Sequence, residues 1–205
     1  MSGRVVVFID AQNVYHDARE VFFENSGSHT LGQFDPLKFS QLICANKPLG
    51  QEKEPRVFKE VRVYTGRPDA SKDPRSYAAH RRQCAVWESR GVIVRPRTLR
   101  YPPDWPTTRA EEKGIDVALA IDFVIMAVEG EYDIGVIAST DTDLRPALEY
   151  VFNRPEVRAE VAAWWYGATS KHLWVPDHVV WCNRLPKADY DAVADYTDYN
   201  LDLKP

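Results

Sequence analysis

The run Val-Val-Val-Phe-Ile at residues 5–9 carries no polar position and stops at Asp10. Five apolar residues without alternation suit a strand buried on both faces, as in the centre of a parallel sheet covered by helices. Further short β-rich runs at 57–64, 92–94, 134–138, 157–165 and 178–181 alternate with longer helical patterns. That order predicts an α/β chain with a mainly parallel central sheet.

The helices are delimited by local chemistry. Residues 11–23 predict a helix that ends before Asn25-Ser26-Gly27. Asp35-Pro36 and Asp73-Pro74 each place an N-cap acid before a proline at the first helical position. The first of these helices runs to about residue 45, followed by a polar loop at 48–55. The second runs to about residue 90, where Gly91 ends it. Residues 98–112 form a long Pro- and Thr-rich loop. Residues 115–129 are apolar on nearly every face and predict a deeply buried helix. A helix over 144–152 and a helical turn over 170–174 follow. The division expected is a domain over 1–185 and an acidic, Tyr-rich tail over 186–205 with no core-facing pattern.

Composition narrows the class. The longest nearly apolar stretch, 117–128, contains Asp122 and is too short to span a bilayer. The first apolar run has no cleavage site after it and reads as a strand, not a leader. Three widely spaced cysteines, Cys44, Cys84 and Cys182, form neither a disulfide framework nor a zinc motif. A reducing, cytoplasmic setting is the expectation. The formal charge is −4, yet residues 56–100 hold twelve Lys/Arg against four Asp/Glu, a net of +8. Residues 186–205 hold two Lys against five Asp, a net of −3. A polyanion could dock on the basic segment, although solvated arginines give the same count.

Aspartates gather where parallel sheets place their sites, at the carboxyl ends of strands. Asp10 ends the first strand, Asp141 and Asp143 follow the strand at 134–138, and Asp116 lies in the first turn of the helix after the long loop. Each has an ordinary structural reading: Asp143 suits the N-cap of the helix beginning at Leu144, and Asp116 suits a helix N-terminus. Brought together, such acids would repel unless a cation neutralised them. Oxygen ligands without Cys or clustered His select Mg²⁺ or Mn²⁺. The five histidines have no metal-ligand spacing.

The segments Phe-Ile-Asp-Ala-Gln-Asn-Val, Lys-Gly-Ile-Asp-Val-Ala-Leu-Ala-Ile-Asp and Ser-Thr-Asp-Thr-Asp-Leu-Arg-Pro-Ala-Leu, in this order, resemble an NYN domain. The resemblance is to the LabA-like branch of the PIN-like nuclease superfamily. It covers about residues 4–183, with Ser170-Lys-His-Leu and Pro176-Asp177 similar to the family's closing elements. It implies a PIN-like, Rossmannoid three-layer fold and metal-dependent hydrolysis of phosphodiester bonds, most often in RNA. By position, Asp10, Asp116, Asp141 and Asp143 would be the catalytic, metal-binding acids and Asn13 their polar partner. Asp122 matches a further family acid. It lies six residues from Asp116, about 240° around a helix, so a buried basic or backbone partner is an equal reading. Thr140 and Leu144 depart from the family's glycine and phenylalanine.

For a nucleic-acid strand, Arg67 and Arg97 close predicted strands near the acidic edge. Lys113 either leans on phosphate or is solvated. Tyr64 and Trp105 either stack unpaired bases or pack within the protein. The expectation is thus a Mg²⁺/Mn²⁺-dependent ribonuclease on single-stranded RNA. The alternative is an RNA-binding or regulatory module with a degenerate or slow site. A homo-oligomer is left open.

Overall fold

In the computed structural model the described residues are 3–46, 55–167 and 170–201. Most of the polar loop at 48–55 lies outside them. Six strands form one parallel sheet in the order β3-β2-β1-β4-β5-β6. They are β1 (Gly3–Asp10), β2 (Arg56–Arg67), β3 (Ile93–Thr98), β4 (Ile134–Ala138), β5 (Arg158–Trp164) and β6 (Trp181–Leu185). The helices are α1 (Ala11–Phe23), α2 (Pro36–Ala45), α3 (Pro74–Ser89), α4 (Ile115–Val128), α5 (Arg145–Phe152) and α6 (Lys187–Val193). The sheet is wholly parallel, and the expected three-layer α/β architecture is present.

The central strand explains the layers. Val5, Val7 and Ile9 face a core built with Val14, Ala18, Phe39, Ile43 and Trp87 from α1, α2 and α3. Val6 and Phe8 face the opposite core with Leu119, Phe123 and Leu148 from α4 and α5. Period-two alternation on a strand covered from both sides makes every position apolar. Chain order reverses between β1 and β4, so the carboxyl ends of these two neighbours flank a crevice.

Both Asp-Pro starts behave as expected. Asp35 accepts the Leu37 and Lys38 N–H groups, and Asp73 accepts the Ser76 N–H. Several other expectations are corrected. α4 is not buried all round: Ile115, Leu119, Phe123 and Met126 face the sheet, while Val117, Ile121, Ile125 and Val128 stay 61, 50, 47 and 51% exposed. α4 lies in the outer layer, so the sheet buries one of its sides and leaves the other outward. Residues 170–174 form no helical turn, and the last strand is Trp181–Leu185, set by its pairing with β5, not 178–181. Residues 186–201 do carry core residues: Tyr190, Val193 and Tyr199 are buried, and Ala194 bridges Phe34. Among the described residues no helix is long and apolar enough to cross a membrane.

Candidate functional site

Asp10 closes β1 and at once caps α1, accepting the Asn13 N–H at 3.1 Å. It is only 4% exposed. The Asn13 carboxamide oxygen accepts the Thr140 N–H at 2.8 Å and the Thr140 hydroxyl at 3.2 Å, tying α1 to the turn after β4. Within that turn Ser139 Oγ accepts the Asp141 N–H at 3.1 Å, and Asp141 accepts the Asp143 N–H at 2.9 Å. The Ser139 hydroxyl lies 3.5 Å from the Asp10 carboxylate. Thr140 has an ordinary negative φ, so this turn does not need the family's glycine. Leu144, in place of phenylalanine, is fully buried.

The cleft beside this turn has a volume of about 350 Å³. Asp10, Asp116, Asp141 and Glu112 line it, with Asn13 and Thr140 between them and Asp17, Glu20 and Lys171 at one end. Burial raises Asp10 to about 7, and the charges of Glu112, Asp116 and Asp141 add to that. Burial, then the charges of Asp141 and Asp143, raises Asp116. Burial and Asp116 likewise raise Glu112, and Asp17 rises to about 6 through burial and Glu20. Mutually raised carboxylates mark a site whose negative charge is uncompensated by the protein alone.

The structure thus brings Asp10, Asp116 and Asp141 into one cleft and sets Asp143 to the side. Asp143 is exposed and lines, with Asp116, a groove bounded by the apolar outer face of α4. Asp143 does not fill its expected N-cap role: Asp141 caps the 3-10 turn at Thr142–Leu144, and α5 follows that turn without a side-chain cap. Among the described residues no group of three His, Cys, Asp or Glu side chains is close enough to hold a metal ion unaided. The donor set still fits a hard cation of the Mg²⁺ kind. Such an ion keeps several waters and takes one or two carboxylates together with substrate phosphate.

Asp122 is turned away from the cleft. It accepts the Tyr64 hydroxyl at 2.7 Å and Arg62 at 3.2 Å, with Arg95 at 3.8 Å, so its charge is already neutralised. Of its two readings, metal contact or a basic partner, the structure shows the basic partner. Tyr64 is 1% exposed and has no free ring face for a base. Trp105 packs edge-on against Tyr101 with ring centroids 4.9 Å apart, within its own loop. Arg67 donates to Thr98 at 3.0 Å. Arg97 is exposed and lies against Gly114 at the start of α4, with Lys113 exposed beside it.

Sequence reasoning missed Glu112 and Asp17. Glu112 is held by the Gly66 N–H at 2.7 Å, and a side chain at Gly66 would collide with the Glu112 carboxylate. Loop return of this kind leaves no periodic signal. Asp17 and Glu20 did leave one: at four and seven positions from Asn13 they share its helix face.

Comparison with known proteins agrees with the fold. The family model described as NYN domain matches residues 4–175. No curated protein matches the chain. A crystal structure of a protein of unknown function from Vibrio parahaemolyticus RIMD 2210633 has a similar fold, with a TM-score of 0.51 and 17% identity. The similarity covers 79% of this chain and 82% of that one.

Proposed function

The chain belongs to the NYN domain family, within the PIN-like nuclease superfamily, and on that premise we propose that it is a Mg²⁺- or Mn²⁺-dependent ribonuclease acting on single-stranded RNA. One observation carries the reading. Asp10, Asp116 and Asp141 wall a single cleft at the β1–β4 crevice, where burial and then the neighbouring acids raise Asp10 and Asp116. A cation complements such a cleft, and once bound it would offer its remaining positions to a phosphate diester.

Asp10, Asp116 and Asp141 are the residues that would hold the ion. When bound there it would lower the pKa of a water and offset charge on the phosphate. The protein's own groups do the positioning. Asn13 clamps the turn that carries Asp141. Glu112 is kept in place by the Gly66 amide at the rim of the same cleft. Arg97 and Lys113 flank the first turn of α4 and would meet flanking phosphates. His16 is lowered by burial and Arg19, so it stays neutral at pH 7 and does not compete as a cation.

The test is cleavage of a single-stranded RNA oligonucleotide in Mn²⁺, in Mg²⁺ and in EDTA. The expected result is cleavage with either ion, none in EDTA, and a loss of more than about 100-fold in Asp10→Ala and Asp141→Ala with the fold retained. RNA that survives equally with the metal-loaded and the EDTA-treated protein overturns the proposal. A second reading, an RNA-binding or regulatory module with a slow site, is favoured by the lack of any three-acid group close enough to hold an ion among the described residues. Salt-dependent RNA binding without metal-dependent turnover would select it.

A further inference from the structure

Among the described residues eleven large apolar side chains are exposed, and five of them stand together. Val117, Ile121, Ile125 and Val128 climb one side of α4, with Tyr150 of α5 beside them. The other six lie in β2 and in the segments after β5 and α6. Single exposed apolar residues are ordinary, whereas a continuous stripe marks a contact surface. No charge interrupts this one, because Asp122 is turned to Tyr64 and Arg62. Between α4 and α5 the stripe borders a groove of about 450 Å³, where the small side chains of Ala120 and Ala147 leave room. Asp116 and Asp143 stand at one end of that groove. Asp143, Ala147 and Tyr150 follow one another at helical spacing, so Tyr150 marks the other end, where its hydroxyl accepts from Arg154 at 3.4 Å.

We propose that a second copy of this chain docks on this face, the two α4 helices packing antiparallel about a two-fold axis. An isologous contact needs a face that matches itself when turned end for end. The stripe does so, because it reads Val, Ile, Ile, Val in both directions. Val117 of one copy would face Val128 of the other, and Ile121 would face Ile125. The groove beside the stripe has room for the isoleucines of the second copy. Charge gives the same direction. Turning the face end for end brings Asp143 of each copy to Arg154 of the other, whereas parallel packing would set the two acidic ends against each other.

Size agrees as well. Roughly half of five large side chains leaves about 400 Å² of apolar surface uncovered on each copy. An interface of standard size takes about 800 Å² from each partner, a little over half of it apolar. The stripe thus supplies nearly the whole apolar share of one. The contact would give Asp143 a role outside the acidic cleft. Because α4 starts at the carboxyl edge of the sheet, antiparallel packing places the two acidic clefts at opposite ends of the dimer. Neither metal nor RNA takes part, so the contact does not rest on the nuclease reading.

Sedimentation equilibrium of the full-length protein in EDTA, between about 1 and 300 µM, tests this, since interfaces of standard size reach micromolar affinity or better. The expected result is a reversible rise from the mass of one chain to twice that mass. Ile121→Gln combined with Ile125→Gln keeps the sheet-facing side of α4 and should weaken the dimer by more than about 100-fold. Asp143→Arg or Arg154→Asp alone should weaken it by about 5- to 10-fold, and the two together should restore it. Circular dichroism shows whether each variant is folded. Should one not be, hydrogen exchange of the wild type decides: the amides of residues 117–128 should exchange more slowly at about 300 µM than at about 1 µM. A chain of single mass at every concentration leaves the face to another protein or to none, and overturns the proposal. So does a dimer that the isoleucine variant leaves intact, one that the paired charge reversal fails to restore, or exchange over 117–128 that is independent of concentration.

Discussion

Replacing Asp10 by Asn removes one charge from the cleft and almost nothing else. The carboxamide oxygen can still accept the Asn13 N–H that Asp10 accepts at 3.1 Å. Burial and neighbouring acids raise Asp10 from 3.8 to about 7 in the metal-free protein. An acid whose pKa rises on folding binds its proton more tightly when folded. Without metal, its stabilising contribution is therefore complete below about pH 4, declines between about pH 4 and 7, and is gone above 7. A rise of about 3 units at about 1.4 kcal/mol each sets an upper limit of about 4 kcal/mol. Water and buffer cations entering the open cleft reduce this to about 2 kcal/mol. For a chain of this length that corresponds to about 4–8 °C in Tm. Asp10→Asn should thus be the more stable protein at pH 8.5 in EDTA, and the two should be equal near pH 4. Thermal unfolding followed by tryptophan fluorescence reads the difference directly. Adding Mn²⁺ should stabilise the wild type and leave the variant unchanged, reversing the order at saturating metal. A variant that is less stable at pH 8.5, or that differs equally at both pH values, would refute the reasoning.

Three further outcomes follow from particular contacts. Asn13→Ala leaves the Thr140 N–H and hydroxyl without their acceptor and should cost about 1–3 kcal/mol in urea unfolding, whereas Thr140→Val, which keeps the amide bond, should cost less. On α4, Leu119→Ala should cost about 2–5 kcal/mol, while Ile121→Gln, on the half-exposed outer face, should change stability by no more than about 0.5 kcal/mol. Glu160 is fully buried in β5, is paired with Arg56 and accepts from Asn183 at 3.2 Å, so Glu160→Ala strands a buried guanidinium and should cost about 3–5 kcal/mol.

What could be read from the chain beforehand was local. The Asp35-Pro36 and Asp73-Pro74 starts specify their own caps, and the unbroken run at 5–9 specifies a strand covered on both faces. Asp10 and Asp141 were legible for the same reason, since each follows a strand and lies where parallel strands end. Burial is a tertiary quantity, and there the reading failed. The outer face of α4 is as apolar as its inner face, and nothing within residues 115–128 records that only one of them meets the sheet. For Tyr64 the sequence left stacking on a base and packing within the protein equally open, and its ring and hydroxyl are taken by the core and by Asp122. Glu112 is held at the cleft by the amide of Gly66, the residue before the last of β2. Residues 186–201 gave no helical or strand period, but Tyr190 packs with Phe22, Phe23 and Trp164 to close the core.

The central claim is that the β1–β4 crevice is a cation site built from aspartates. Anomalous diffraction from a crystal soaked in Mn²⁺ tests it without reliance on turnover. The expected result is a peak in the cleft, with its nearest protein oxygens from Asp10, Asp116 or Asp141 and its remaining positions filled by water. A peak at Asp122 instead, or an empty cleft at a Mn²⁺ concentration that supports RNA cleavage, would contradict it.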